Sequence, residues 1–222
     1  MRTVYHHWFS PFSRKVRIAL SEKAIDADLV VEKTWNRRTD FLRLNPAGTV
    51  PVMIEENGLI LVDSYAICEY LEETAPEIPL LGQTPEERAE VRRLVSWFDV
   101  KCYEEVTRLL INEKVLKRFL KMGTPDSDAI RCAAHNIRHH LGYIQYLTER
   151  RNWLAGHNFS YADIAAASHL SCIDYLGDVP WQNFEGAKDW YMRIKSRPSL
   201  RPILKDNIAG FPPAPHYSNL DF

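Results

Sequence analysis

The sequence predicts an α/β half followed by an all-α half, and three observations carry that prediction. Strand and helix signals alternate up to about residue 80, after which strand signals stop and helical repeats take over. Between the two lies PEIPLLGQ, whose two prolines and one glycine read as a linker. The expected division is an α/β domain over 1–76, an all-helical domain over 84–205 and a tail over 206–222.

TVYHH reads as the first strand, with β-branched and aromatic residues in a short run. SRKVRIALSEK is expected to be a helix, because Val16, Ile18, Ala19 and Leu20 cluster toward one side. ADLVVEKTW is expected to be the second strand, with Trp35 at its end. In the next segment VPVMIEE and LILVD are β-rich runs separated by Asn57-Gly58, a strong hairpin signal. SYAICEYLEE then reads as a helix. The order β-α-β, connection, β-β-α suits a small mixed sheet.

Thr84-Pro85-Glu86-Glu87 supplies a cap residue, a proline at the first helical position and a glutamate that completes a capping box. After it Val91, Leu94, Val95, Phe98 and Cys102 recur at helical spacing, and the pattern runs to about Met122. Gly123-Thr124-Pro125 breaks it. Ile130, Ala134, Ile137, Leu141, Ile144 and Leu147 mark the next helix. Ser160-Tyr161-Ala162-Asp163 opens another, IAAASHLSCIDYL, apolar nearly all round and therefore expected at the centre of its domain. A last helix is expected from about Asn183 to Lys195, ending before Pro198.

The chain has 222 residues, 45% hydrophobic and 26% charged, with a net charge of −1. That composition is of an ordinary globular protein, with no basic field to attract nucleic acid. The clusters NRR and ERR are short and flanked by acids, so a solvated face is the simpler expectation. No run approaches the ~20 apolar residues a membrane span needs, and no signal-like start is present. The four cysteines (Cys68, Cys102, Cys132 and Cys172) form no C-x-x-C pair, which points away from a disulfide framework or zinc knuckle. A cytoplasmic location is expected.

Several stretches together resemble the glutathione transferase superfamily, whose fold is a thioredoxin-like domain followed by a helical one. SPFSRKVRIAL resembles the active-site turn and first helix of zeta- and theta-like members, with Ser10 in the place of their catalytic serine. NPAGTVPV resembles the loop leading to the cis-proline, with Val50-Pro51 as that dipeptide. VDSYAICEYLEE resembles the Glu/Gln-Ser motif and the helix behind it, which places Asp63 and Ser64. NFSYADIAAASHL and MRIKSRPSLRPIL resemble the buried and closing helices of the second domain. YHHWFSPFSRKVRIAL, LVVEKTWNRR, RAEVRRLVSWFDVK, DYLGDVPW and the terminal HYSNLDF resemble a branch of this superfamily whose members bind FtsZ filaments in alphaproteobacterial cell division. That branch implies a homodimer with FtsZ as partner, located at the division site, and no need of glutathione. The wider family implies the alternative, a glutathione transferase with Ser10 stabilising the thiolate.

On the resemblance, the glutathione site would comprise Ser10, Val50, Pro51, Asp63 and Ser64. A cis Val50–Pro51 bond would leave the N–H and C=O of Val50 to pair with a bound peptide, and a serine at a helix N-terminus meets the positive end of the dipole. Three departures weaken that site: Asp63 is one methylene shorter than the usual Glu or Gln, Thr49 stands where a Lys or Gln is common, and Pro11-Phe12 replaces small or thiol-bearing residues. Ser10 is equally a favoured helix cap, and catalysis is expected to be lost. His6-His7 and His135/His139/His140 contain one metal-like i, i+4 spacing but no local acid or cysteine, so no metal is expected. Trp35, with Arg37 beside it, either covers the sheet edge or anchors a partner; aromatic residues and arginines dominate interface energetics. The tail either packs over a groove or displays Leu220, Asp221 and Phe222 for recognition, and it is expected to lie outside the core.

Overall fold

In a computed structural model of the protein, residues 1–208 and 210–221 are described. The backbone divides into two compact units, Met1–Pro79 and Leu80 onward.

The first unit is built on a four-stranded sheet of β1 (Thr3–His6), β2 (Asp28–Val31), β3 (Val52–Ile54) and β4 (Ile60–Val62), in the order β2-β1-β3-β4. β1 pairs in parallel with β2 and antiparallel with β3, and β3 pairs antiparallel with β4. The β3–β4 turn is closed by Glu55 N–H to Leu59 O at 2.9 Å, with Gly58 at φ 85° supplying the left-handed position. Helix α1 (Pro11–Glu22) starts with a proline at its first position and sinks Val16, Ile18, Ala19 and Leu20 into the core. The buried Val16, Ile18 and Leu20 side chains each contribute roughly 1.5–3 kcal/mol. A short helix α2 (Thr39–Leu44) fills the connection, and α3 (Ser64–Thr74) packs against α1 through Ile67, Cys68 and Leu71. Lys23 ties the two helix ends together. Its buried ammonium pairs with Glu72 at 2.9 Å and donates to the carbonyls of Ala75 and Ile78.

The second strand is shorter than its composition suggests. It stops at Val31, and Trp35 lies on a 3₁₀ turn, Thr34–Asn36, closed by Arg37 in the left-handed region at φ 45°. Glu32 explains the early stop. Its N–H still bonds His6 O, but its carboxylate is buried and held by Arg38 at 2.6 Å, which turns the chain away from the strand line. The basic NRR cluster is thereby partly consumed in structure.

The second unit is helical. Thr84 and Glu87 form the capping box of α4 (Pro85–Ser96), and the helical path continues to Leu120 with wide π turns at Trp97–Thr107 and Ile111–Leu116. A long helix, Ser127–Thr148, buries Ile137, Leu141, Ile144 and Leu147. All residues of the helix Tyr161–Tyr175 are buried, as an all-round apolar pattern requires. Two expectations are corrected here. The second half of the linker belongs to this core, because Leu80 and Leu81 are buried and Leu80 O accepts from Tyr161 N–H at 2.8 Å. The tail is also not peripheral: Ile208 and Tyr217 are buried, and Tyr175 Oη donates to Phe211 O at 2.6 Å. The rings of Tyr175 and Tyr217, 4.9 Å apart, and the bond from Ala214 N–H to Tyr175 O hold the proline-rich segment in place without a helix. Among the described residues, no helix is long and apolar enough to cross a membrane.

Candidate functional site

The strand registers bring the first unit's candidate residues to one end of the sheet. Tyr5 is opposite Val52, and Val52 is opposite Val62. The C-terminal end of β1, the start of β3 and the end of β4 therefore share an edge, as does the end of parallel β2. Ser10 follows β1, Pro51 precedes β3, Asp63 and Ser64 follow β4, and Trp35 follows β2.

At the β1–α1 turn Ser10 is the N-cap of α1. Its Oγ accepts from Ser13 N–H at 3.1 Å, and its own N–H donates to His7 O at 3.0 Å. The hydroxyl retains its proton for a further acceptor, at the positive end of a three-turn helix. Behind it Arg14 is completely buried, with Nε donating to Trp8 O at 2.8 Å. Burial, together with the charges of Arg14 and Lys33, holds His7 down at about 4, so its ring is neutral at physiological pH. Trp35 meets that ring edge-on at 5.0 Å and is half-buried, while Arg37 is exposed. This local field favours an anion or a hydrogen-bond acceptor over a cation.

The Val50–Pro51 bond is cis. The loop before it is staked by buried Asn45, whose Oδ1 accepts from Ala47 N–H and whose Nδ2 donates to both Thr49 O and Thr49 Oγ1 at 2.8 and 3.1 Å. Gly48 is required at φ 67°, where a Cβ would meet Leu42 Cδ2 at 3.2 Å. Asp63 caps α3, accepting from Tyr65 N–H at 2.7 Å, and it does so at φ 77°. An aspartate held in a left-handed conformation is a strained feature of the kind that clusters at binding sites. Ser64, beside it, is buried. Residues fit to hold a peptide-like thiol are thus present at Ser10 and Val50, whereas the carbonyl and hydroxyl of Thr49 and one carboxylate oxygen of Asp63 are already engaged locally.

The other candidates lie elsewhere. His135 and His139 are exposed on the helix Ser127–Thr148, and among the described residues no group of three or more His, Cys, Asp or Glu is placed to hold a metal ion. His140 points into the core instead, accepting from Trp97 Nε1 at 3.1 Å. At the end of the second unit Asp221 is exposed and Leu220 half-buried; Phe222 lies outside the described residues. The sequence reading missed Arg14. Its only signal was a cation among the buried positions of α1, and charged side chains on helices usually face water.

Known proteins match this arrangement. The family model for the glutathione S-transferase N-terminal domain matches residues 9–74, and that for the C-terminal domain matches residues 122–198. FtsZ-localized protein A of Caulobacter vibrioides is 50% identical over 224 residues, covering 100% of this chain and 98% of the relative. Among solved structures, a glutathione S-transferase from Rhodospirillum rubrum F11 is 55% identical with a TM-score of 0.99, covering all of both chains. FzlA from C. crescentus is 50% identical with a TM-score of 0.97, covering 100% of this chain and 99% of that one.

Proposed function

The chain belongs to the glutathione S-transferase superfamily, and from that premise we propose that it binds FtsZ filaments as a homodimer, without transferase chemistry, at the bacterial division site. One observation carries the reading: the chain is 50% identical to FtsZ-localized protein A in an alignment that spans its whole length. The local engagement of Thr49 agrees with it, since its hydroxyl is held by Asn45 and supplies no cation for a bound carboxylate. A two-fold pair presents two equivalent partner surfaces, which gives avidity on a repeating filament. Trp35, Arg37, Leu220, Asp221 and Phe222 are the residues proposed to meet the partner. Co-sedimentation with GTP-assembled FtsZ tests the proposal. The protein should enter the pellet only when filaments are present, and its absence from the pellet would overturn the reading.

A second reading, a glutathione transferase of zeta or theta type, is favoured by the Ser10 hydroxyl at the start of α1 and by the likeness to the Rhodospirillum rubrum transferase. Retention on glutathione-agarose together with Ser10-dependent conjugation of chlorodinitrobenzene would establish it.

A further inference from the structure

Strand β2 is an uncovered sheet edge. It pairs on one side with β1 and, among the described residues, has no strand on the other. The parallel register fixes which main-chain groups point outward. Asp28 N–H bonds Arg2 O at 2.8 Å and Glu32 N–H bonds His6 O at 2.8 Å, so the two-residue period turns Val30 toward β1 as well. The N–H and C=O groups of Leu29 and Val31 consequently point away from the sheet. Both faces of this strand are open too: Leu29, Val30 and Val31 are 46%, 38% and 43% exposed.

Protein sheets ordinarily blunt such an edge with charged side chains, proline, a bulge or a very short strand. DLVV is short, but the three residues after Asp28 are apolar and it holds no lysine or proline. The charges lie instead at its two ends. Asp26 and Asp28 precede the apolar core, and Lys33 and Arg37 follow it, all four without a carboxylate–cation pairing of their own among the described residues. The edge therefore has a direction as well as an apolar centre.

We propose that β2 is a strand-addition site, and that its occupant is an extended segment of the filament protein with two apolar residues at alternate positions. Charge complementarity orients that segment, with a carboxylate beside Lys33 and Arg37 and a cation beside Asp26 and Asp28. The main-chain groups of Leu29 and Val31 supply the hydrogen bonds, and the exposed apolar side chains supply the contact area. This inference rests on the filament-binding reading and specifies how that partner is held.

The test exploits the two-residue period. Leu29→Pro removes an outward N–H while leaving the Asp28, Val30 and Glu32 bonds to β1 in place, a setting in which an edge strand tolerates proline. With the whole chain and GTP-assembled FtsZ, Leu29→Pro should co-sediment roughly ten-fold more weakly than wild type. In the wild-type complex, amide exchange at Leu29 and Val31 should slow, whereas Val30, already bonded to β1, should change little. Failure of the wild-type protein itself to co-sediment would remove the filament reading. Co-sedimentation of wild type with unchanged exchange at Leu29 and Val31 would overturn strand addition alone, even if the proline variant does not fold. Conversion of a wild-type dimer to a monomer by Leu29→Pro would likewise overturn it, by assigning the edge to a second copy of the chain.

Discussion

Ser10 and Ser160 open helices by the same device, a hydroxyl accepting a main-chain N–H, yet they stand in opposite surroundings. At Ser160 everything is closed. Asp163 Oδ1 accepts from Leu154 N–H at 3.0 Å and Trp190 Nε1 at 2.9 Å, and its Oδ2 accepts from Ser160 N–H and Oγ at 3.1 and 3.2 Å. At Ser10 the cap makes its bond to Ser13 in a half-buried turn, with the neutral His7 ring and Trp35 beside the same sheet end. Around Ser160 the second unit spends its polar chemistry on holding itself together. The first keeps polar and apolar groups turned outward at the sheet end and along β2, where a partner can reach them.

The sharpest way to break that contrast is Asp163→Ala. It would leave Leu154 N–H, Ser160 N–H and the Trp190 indole N–H without their acceptor, at positions that are all buried. A loss of roughly 3–5 kcal/mol is expected in denaturant unfolding. A loss under about 1 kcal/mol would show that this helix start is no more closed than Ser10.

His140 provides the next largest effect. Its Nδ1 accepts from Trp97, so Nε2 carries the proton and donates to Glu105 at 3.1 Å; burial holds the ring down at about 4 although Glu105 pulls the other way. The folded value lies below the unfolded 6.5, so this ring's contribution is fully present above pH 6.5 and is lost as pH falls through 4. The amount is roughly 3 kcal/mol. Asp163 runs oppositely, since burial pushes it up to about 6 from 3.8, and it gains stability as pH falls across that interval. Wild type must therefore be compared with His140→Gln, whose stability deficit should shrink by that amount between pH 7 and pH 4. An unchanged deficit would mean that the ring is not held neutral.

Two smaller effects probe the open end. Trp35→Ala should weaken FtsZ co-sedimentation roughly ten-fold, equivalent to ~1.4 kcal/mol, while unfolding changes by about 1 kcal/mol or less. A large stability loss with intact affinity would return Trp35 to a structural role. Ser10→Ala should cost ~1 kcal/mol of stability as a lost cap and leave filament affinity unchanged. Any loss of filament binding would tie the hydroxyl to the partner surface.

Much of this was legible because local chemistry and global packing agree. The Thr84–Glu87 and Ser160–Asp163 boxes, the Asn57-Gly58 turn and the all-round apolar helix each express a short-range rule that the fold obeys. Three features were not legible. The end of β2 depends on Glu32 meeting Arg38, six residues away, and no strand propensity records that pairing. Arg14 lies inside because its guanidinium finds Trp8 O, a bond set by how the turn doubles back. The tail is anchored by Tyr175 and Asp174, more than 30 positions earlier. Periodicity, caps and turn residues act over a few neighbours, so the sequence by itself determined which segments are helices and strands and which residues are candidates. Tertiary structure alone decided which of those candidates are consumed by long-range partners, because a hydrogen bond or ion pair between distant residues exists only once the chain has closed around it.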